Sequence, residues 1–520
     1  MRTAKNWRLL GQGLAILTLS AALAACGGST DSSGPSSSAS GTMIPWATQI
    51  VDSALNVWTV TGGVVYEGGK TAGYSANVAL LLYYGGTLYQ ENKSCLWWSW
   101  NGSAWVASSN PAPKATPACS AAAAPPVYPP TTTSTSQPPL ITLARPGYLQ
   151  PTALPGMGTS VMRMSDATTF GIGQRYYRHY YSKQQPWNSD STRLMLSVDA
   201  RRVYFLDGKT FAYLWTATNV PDYTKWSNSD PDLMYGTLYS ADAFVKYTPS
   251  TGVVQTLKTF PGFTRLFLGM NAGNLSNDDR YAPLIGEYAT GFTVIIYDAI
   301  NNVEVSRKDF PGVSVANLGW VSMSQSGQYV VVNINDNATG VSYYDVYDTQ
   351  MNYLRRLNAY AGGHADCGYD SMGNEVIVYG QYLGGKGVIL MSTRLADNIV
   401  QQQLPGISQP AGIYMASNYH ISCRNINRPG YCYVSNFAFD SAFNAYMFHE
   451  VFALKLDGSG SVEIFSQDFA APLPLADLSY FRSSMVVPSR NGSLVLFSSD
   501  WGDPSSTAII YDYVAGVELN

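Results

Sequence analysis

The sequence predicts an all-β protein: a small antiparallel β-module followed by a seven-bladed β-propeller. Three observations lead there. Polar turns recur ahead of β-prone runs through the last ~360 residues, helical 3.6-residue periodicity is nearly absent, and paired glycines punctuate short β runs nearer the start. Repeats of roughly 40–50 residues, each holding several short strands, are the pattern of propeller blades. Only 13% of the 520 residues are charged, the net charge is −4, and the chain has 37 Tyr and 47 Gly. No clustered basic face is visible, which excludes nucleic acid as a partner.

Taken in order, residues 1–25 read as an export signal. Arg2, Lys5 and Arg8 precede the apolar stretch from Leu14 to Ala25, which is too short to span a bilayer and fits a cleaved signal. The run Leu23-Ala24-Ala25-Cys26 resembles the lipobox of bacterial lipoproteins. That resemblance implies cleavage before Cys26, lipidation of Cys26, and a membrane partner reached through the lipid. Several acyl chains make a stable anchor where one is marginal. Gly27 stands where an Asp would favour inner-membrane retention, so the expected location is the cell envelope, at the outer membrane. Residues 26–43 are Gly/Ser-rich after the lipidated Cys and read as a flexible tether.

Residues 44–106 form the predicted module. Val57-Trp58-Thr59-Val60, Val64-Val65-Tyr66, Val78 to Tyr84 and Thr87-Leu88-Tyr89 are separated by Gly62-Gly63, Gly68-Gly69 and Gly85-Gly86, the chemistry of tight hairpins. The stretch from Asp52 to Pro111 resembles a small β-module found beside carbohydrate-active domains in secreted proteobacterial proteins. Trp97, Trp98, Trp100 and Trp105 cluster at its end. Strand alternation puts Trp98 and Trp100 on one face and Trp97 on the other. Trp98 and Trp100 are candidate sugar-stacking rings, and the same rings also supply the bulk a small core needs. Residues 107–158 are rich in Pro, Ala and Thr and read as an extended, semi-rigid linker.

Residues 159–520 form the predicted propeller. Turns at Asn188-Ser189-Asp190, Asn228-Ser229-Asp230, Asn277-Asp278-Asp279, Gln325-Ser326-Gly327 and Met372-Gly373-Asn374 recur every 40 to 48 residues or so. A longer gap before Arg490-Asn491-Gly492 leaves room for two units. Beside Cys26, the chain has Cys95, Cys119, Cys367, Cys423 and Cys432. Pairing Cys95 with Cys119 and Cys423 with Cys432 would leave Cys367 free, though spacing alone leaves connectivity open.

The closing unit, Ser489-Arg490-Asn491-Gly492 through Phe497-Ser498-Ser499-Asp500-Trp501, resembles the repeats of WD40-like and TolB-like bacterial propellers. Gly363-His364-Ala365-Asp366-Cys367-Gly368, His420-Ile421-Ser422-Cys423-Arg424-Asn425 with Arg428-Pro429-Gly430, and His179-Tyr180-Tyr181-Ser182 resemble propellers distantly related to oligogalacturonate lyase. That family implies an axial site with a divalent metal held mostly by His, and β-elimination on uronates. The resemblance makes His420, Arg424 and His364 candidate catalytic residues, and His179 and Arg428 candidate ligand contacts. Arg suits bidentate recognition of carboxylates. Each also has a structural reading: His364 as a turn cap, and Arg428-Pro429-Gly430 as hairpin chemistry. The family's late-blade run of one Gln and two His has no counterpart in Asp477-Leu478-Ser479-Tyr480-Phe481-Arg482-Ser483-Ser484, which leaves the metal open. Three functions follow: binding of a carbohydrate or other polymeric ligand, a polysaccharide lyase acting on uronates, and a scaffold for envelope proteins.

Overall fold

The computed structural model describes residues 37–44, 47–92, 95–112, 125–133, 139–171, 175–199, 202–238, 242–336, 340–361, 364–382, 388–404, 418–437, 449–471, 482–505 and 507–519. The predicted signal, Cys26, Cys119 and residues 477–481 lie outside these. The described chain is all-β; its single α-helix, Ala167–Phe170, has four residues. No described helix is long and apolar enough to cross a membrane.

The N-terminal module consists of two antiparallel sheets. One contains Ile50–Val51, Val57–Thr61, Val64–Glu67 and Lys70–Thr71; the other contains Thr42–Ile44, Val78–Tyr84, Thr87–Asn92, Trp97–Trp100 and Trp105–Ser108. Gly62 and Gly63 have φ of 59° and 76°, and Gly85 and Gly86 have 57° and 82°. Two consecutive positive φ angles define the hairpin turn whose twist matches its strands. Trp58, Leu81, Ile50 and Val65 fill the space between the sheets, and the Trp58 Nε1 donates to Asp52 at 2.9 Å.

Seven further sheets follow among the described residues. The first is Arg193–Asp199, Arg202–Asp207 and Tyr213–Thr218, and the second runs from Asp222–Trp226 through Met234–Leu238 and Ala243–Thr248 to Val253–Thr259. The third, fourth and fifth begin at Arg265–Leu268, Leu318–Met323 and Asp366–Tyr369 and are four-stranded meanders. The sixth begins at Asn418–Ser422 and the seventh at Val487–Pro488.

Five of the six recurrent polar turns join the first to the second strand of a sheet, the one at Asn188 precedes Arg193–Asp199, and four of the six share one hydrogen bond. A side-chain oxygen accepts the backbone N–H five residues on: Asn188 from Arg193 (2.9 Å), Ser276 from Tyr281 (2.9 Å), Ser324 from Tyr329 (3.1 Å) and Ser489 from Leu494 (3.1 Å). Short polar side chains that bond their own backbone favour turns. That is why the repeat is legible as Asn, Ser and Asp clusters.

Packing links each sheet to the next. Alternate residues of one strand serve different neighbours: Val294 and Ile296 face the fourth sheet, while Ile295 and Tyr297 face the second. Likewise Val376 and Val378 face the sixth sheet, and Ile377 and Tyr379 the fourth. One core cluster then unites the sixth (Tyr433, Val451), seventh (Phe497, Tyr513) and first sheets (Leu194, Tyr204). The order of packing is therefore cyclic and propeller-like.

The seventh sheet is completed from the far end of the chain. Ser160–Arg163 pairs antiparallel with Ile510–Gly516, Thr152–Ala153 pairs with Ser160–Arg163, and Tyr176–Tyr177 pairs parallel with Ile510–Gly516. Thr131–Thr132 pairs with Val462–Gln467 at the edge of the sixth sheet. Part of the predicted linker thus lies on the sheets. Extended Pro/Thr-rich backbone bonds little to itself, so its N–H and C=O groups are available to an edge strand.

Candidate functional site

The first strands of the sheets and the segments beside them meet one another across sheet boundaries. The Gln185 amide donates to the carbonyls of Arg424 (2.8 Å) and Pro488 (3.1 Å). Asn274 donates to the Lys183 carbonyl at 2.9 Å, and Gln325 donates to the carbonyls of Cys367 and Cys423 at 2.9 and 2.8 Å. The Arg490 guanidinium reaches Asn228 at 3.1 Å. Residues up to 303 positions apart are thereby held at one centre.

His364 and His420 come together there, with ring centroids 4.4 Å apart at 79°. His420 is buried in the first strand of the sixth sheet, whereas His364, just ahead of the fifth sheet, is partly exposed. The Tyr181 hydroxyl is hydrogen-bonded to His364 Nδ1 at 3.1 Å, and the Tyr181 ring meets His420 edge-on at 5.5 Å. Tyr419 closes the other side of His364 at 5.7 Å. Burial, followed by the nearby Lys183 charge, pulls His364 down to about 4. Burial also holds His420 well below its ordinary value, with His364, Arg178, Lys183 and His179 acting in the same direction. Both imidazoles are therefore neutral near pH 7 and serve as hydrogen-bonding or basic groups rather than cations.

Behind this pair stand buried cations. Lys183 is fully enclosed, its Nζ 4.7 Å from the Trp320 ring centroid. Burial lowers its pKa to about 8, against the pull of Asp366. Asp366 is held on four sides: by Arg424 Nε (3.0 Å) and Nη2 (3.1 Å), and by the backbone N–H groups of Cys423 (2.8 Å) and Cys367 (2.9 Å). Cys423 and Cys432 form a disulfide that packs on Gly368. Cys367 is free and buried. Cys95 is also disulfide-bonded.

The remaining sequence candidates are placed elsewhere or otherwise engaged. Arg424 is committed to Asp366 and to the Cys367 carbonyl at 2.6 Å. The His179 Nδ1 lies 3.0 Å from Asp512, and its Nε2 lies 2.5 Å from the Met485 carbonyl. Arg428 pairs with Glu463 at 2.7 and 2.9 Å and is sandwiched between the rings of Tyr128 (3.5 Å) and Tyr431 (3.8 Å). In the module, Trp100 packs on Trp58 (5.4 Å) and Trp105 (5.1 Å). Trp98, two residues earlier in the same strand, is partly exposed, and Trp97 is buried on the opposite face.

Sequence reasoning missed Tyr181, Lys183, Lys225 and Asp366 as members of the centre. Tyr181 and Asp366 sit inside the quoted motifs, so their neighbours were the available signal. The two lysines carry no local signal at all.

A divalent metal of the kind implied by the lyase resemblance needs more than two imidazoles. Among the described residues no group of three or more His, Cys, Asp or Glu could hold one. The His364–His420 pair thus lacks a third protein ligand there, and the described residues do not fit such a metal.

No family model and no curated protein matches the sequence. Among solved structures, an oligogalacturonate lyase in complex with manganese is 12% identical, with 71% of this chain and 95% of that one covered, at a TM-score of 0.48. The oligogalacturonate lyase of Vibrio parahaemolyticus is also 12% identical, with 71% and 96% covered, at 0.48. TolB from Acinetobacter baumannii is 12% identical, with 62% and 79% covered, at 0.32. No functional reading rests on likeness at this level.

Proposed function

We propose that this chain is a lipid-tethered envelope protein whose seven-bladed propeller binds an acidic carbohydrate at its centre. The carrying observation is the meeting of Tyr181, His364 and His420, from three distant stretches of chain, in front of buried Lys183. Partly exposed His364 offers a neutral polar ring beside the partly exposed ring of Tyr181, which suits a sugar's hydroxyls and its apolar face. The positive charges of Lys183 and Arg424 near these rings favour a carboxylate, as uronates supply.

The test is a calorimetric titration of the folded protein with oligomers of galacturonate and their neutral counterparts. Binding of the acidic series alone is expected, weakened at least about tenfold (~1.4 kcal/mol) in His364→Ala. No binding across a panel of uronate polymers would sink the reading.

A lyase reading is favoured by one further feature: near the imidazoles stands Lys183, whose pKa of about 8 lies in the range suited to a general base. It predicts an ultraviolet-absorbing unsaturated uronate product that disappears in His420→Ala.

A further inference from the structure

Lys225 lies in the first strand of the second sheet and is 95% buried, with 5% of its surface exposed. Its ammonium makes no hydrogen bond and no ion pair among the described residues. Buried lysines are almost always paired, so this one calls for a partner. It lines a cavity of about 20 Å³ together with Gln185, Asn228, Asn274 and Arg424, over the apolar side chains of Leu275 and Ile426. That is room for one water molecule or an ion of similar size.

The charged hydrogen-bonding groups around the cavity are all donors. The Gln185 amide nitrogen is spent on two carbonyls and its oxygen on the Trp187 N–H. Asn274 Nδ2 is spent on Lys183 and Ala272, and Asn228 Oδ1 accepts from Arg490. Arg424 commits Nε and Nη2 to Asp366 and Cys367, and its Nη1 makes no hydrogen bond among the described residues. The uncommitted charged groups, the Lys225 ammonium and Arg424 Nη1, are cationic donors, and Asn274 Oδ1, which accepts no hydrogen bond among the described residues, is an uncommitted neutral acceptor beside them. The charges are one-sided as well: those bearing on Lys225 are Arg424 and Lys183, both positive. Asp366 already faces both of these.

We propose that this cavity is a binding site for a single monovalent inorganic anion of about the size of chloride, held by Lys225 and Arg424. The anion supplies the negative charge that the protein leaves out, and it keeps Lys225 protonated. Without it, burial and then the two neighbouring cations pull the Lys225 amine down to about 7. The site stands apart from the carbohydrate reading, which uses the His364 side of the centre.

Bromide tests the site in the intact protein. Crystals grown with sodium bromide should show an anomalous peak in contact with Lys225 Nζ, and water alone in the cavity would overturn the proposal. In solution, the melting temperature should be higher in sodium chloride than in sodium gluconate at equal ionic strength. Lys225→Met should abolish that difference, whereas Lys258→Met, on the exposed outer strand of the same sheet, should keep it. A chloride effect that survives in Lys225→Met, or is lost equally in Lys258→Met, would also overturn the proposal.

Discussion

The Glu450 carboxyl is fully buried, accepts one bond from Gln467 at 2.9 Å, and has Asp468 as its charged neighbour. Burial is the largest influence and raises its pKa from 4.5 to about 8. Between those values the folded chain binds a proton that the unfolded chain has released, so stability falls as pH rises. Burial pulls its neighbour His449 down, but Asp468 outweighs burial and raises it; that contribution is likewise full at low pH and fades as pH rises. In thermal melts from pH 5 to 8, the midpoint of Glu450→Gln should therefore rise relative to that of the wild type as the pH increases. An unchanged slope in the variant would place the dependence elsewhere. Gly368 makes a second prediction at this scale. A Cβ there would lie 2.9 Å from Cys423 Cβ and 3.1 Å from its sulfur, with the Cys432 sulfur at 3.2 Å. Gly368→Ala should thus lower stability by about 1–3 kcal/mol, the usual range for overpacking, read from denaturant midpoints. None of these effects is legible in the sequence, where Glu450 begins an ordinary strand and Gly368 is one of 47 glycines. Their consequences come from neighbours supplied by other sheets.

Outer strands show what an element's surroundings decide. Val253–Thr259 in the second sheet is exposed almost throughout, whereas Val462–Gln467 in the sixth is nearly all buried. The difference is the stretch beginning at Pro125. Thr131–Thr132 pairs with the sixth sheet, Gln467 bonds Pro139 and Ile141, and Tyr128 donates to the Asn491 carbonyl at 2.9 Å while stacking on Arg428. Arg428→Met would remove the partner of buried Glu463. Stranding one member of a buried ion pair costs about 3–5 kcal/mol. Denaturant unfolding should show that loss, and limited proteolysis should cut faster within residues 125–133. Proteolysis at the wild-type rate would mean the clamp is dispensable. The Pro/Thr composition points to extended backbone, but the edge that Thr131–Thr132 pairs with lies more than 300 residues later in the chain, beyond any local pattern. The strands and turns of the sheets were legible for the opposite reason. Alternation and the i-to-i+5 turn bond are both local.

Cyclic packing is a property of the whole molecule, and one short pairing helps to complete its seventh sheet. Ser160–Arg163 lies along Ile510–Gly516 with Val161 and Met162 buried. Removing residues 1–163 strips that strand and uncovers the edge of the seventh sheet. Burial of two such side chains contributes roughly 1.5–3 kcal/mol each. A chain beginning at Met164, which also lacks Tyr128 and Thr131–Thr132 on the sixth sheet, should therefore lose at least that much stability in denaturant unfolding, and its unpaired edges should promote association, visible by light scattering. Equal stability and a monomeric state would deny Ser160–Arg163 its role in completing that sheet. By itself the sequence determined the all-β character, the spacing of the sheets and the two histidine-bearing motifs, because alternation, turn chemistry and short motifs act over a few residues. Tertiary structure alone decided that His364 and His420 meet, that Arg424 serves Asp366, and that Lys183 and Lys225 are buried. Those outcomes depend on which strands face the common centre, and only the packing of sheet upon sheet brings such distant segments into one low-dielectric space.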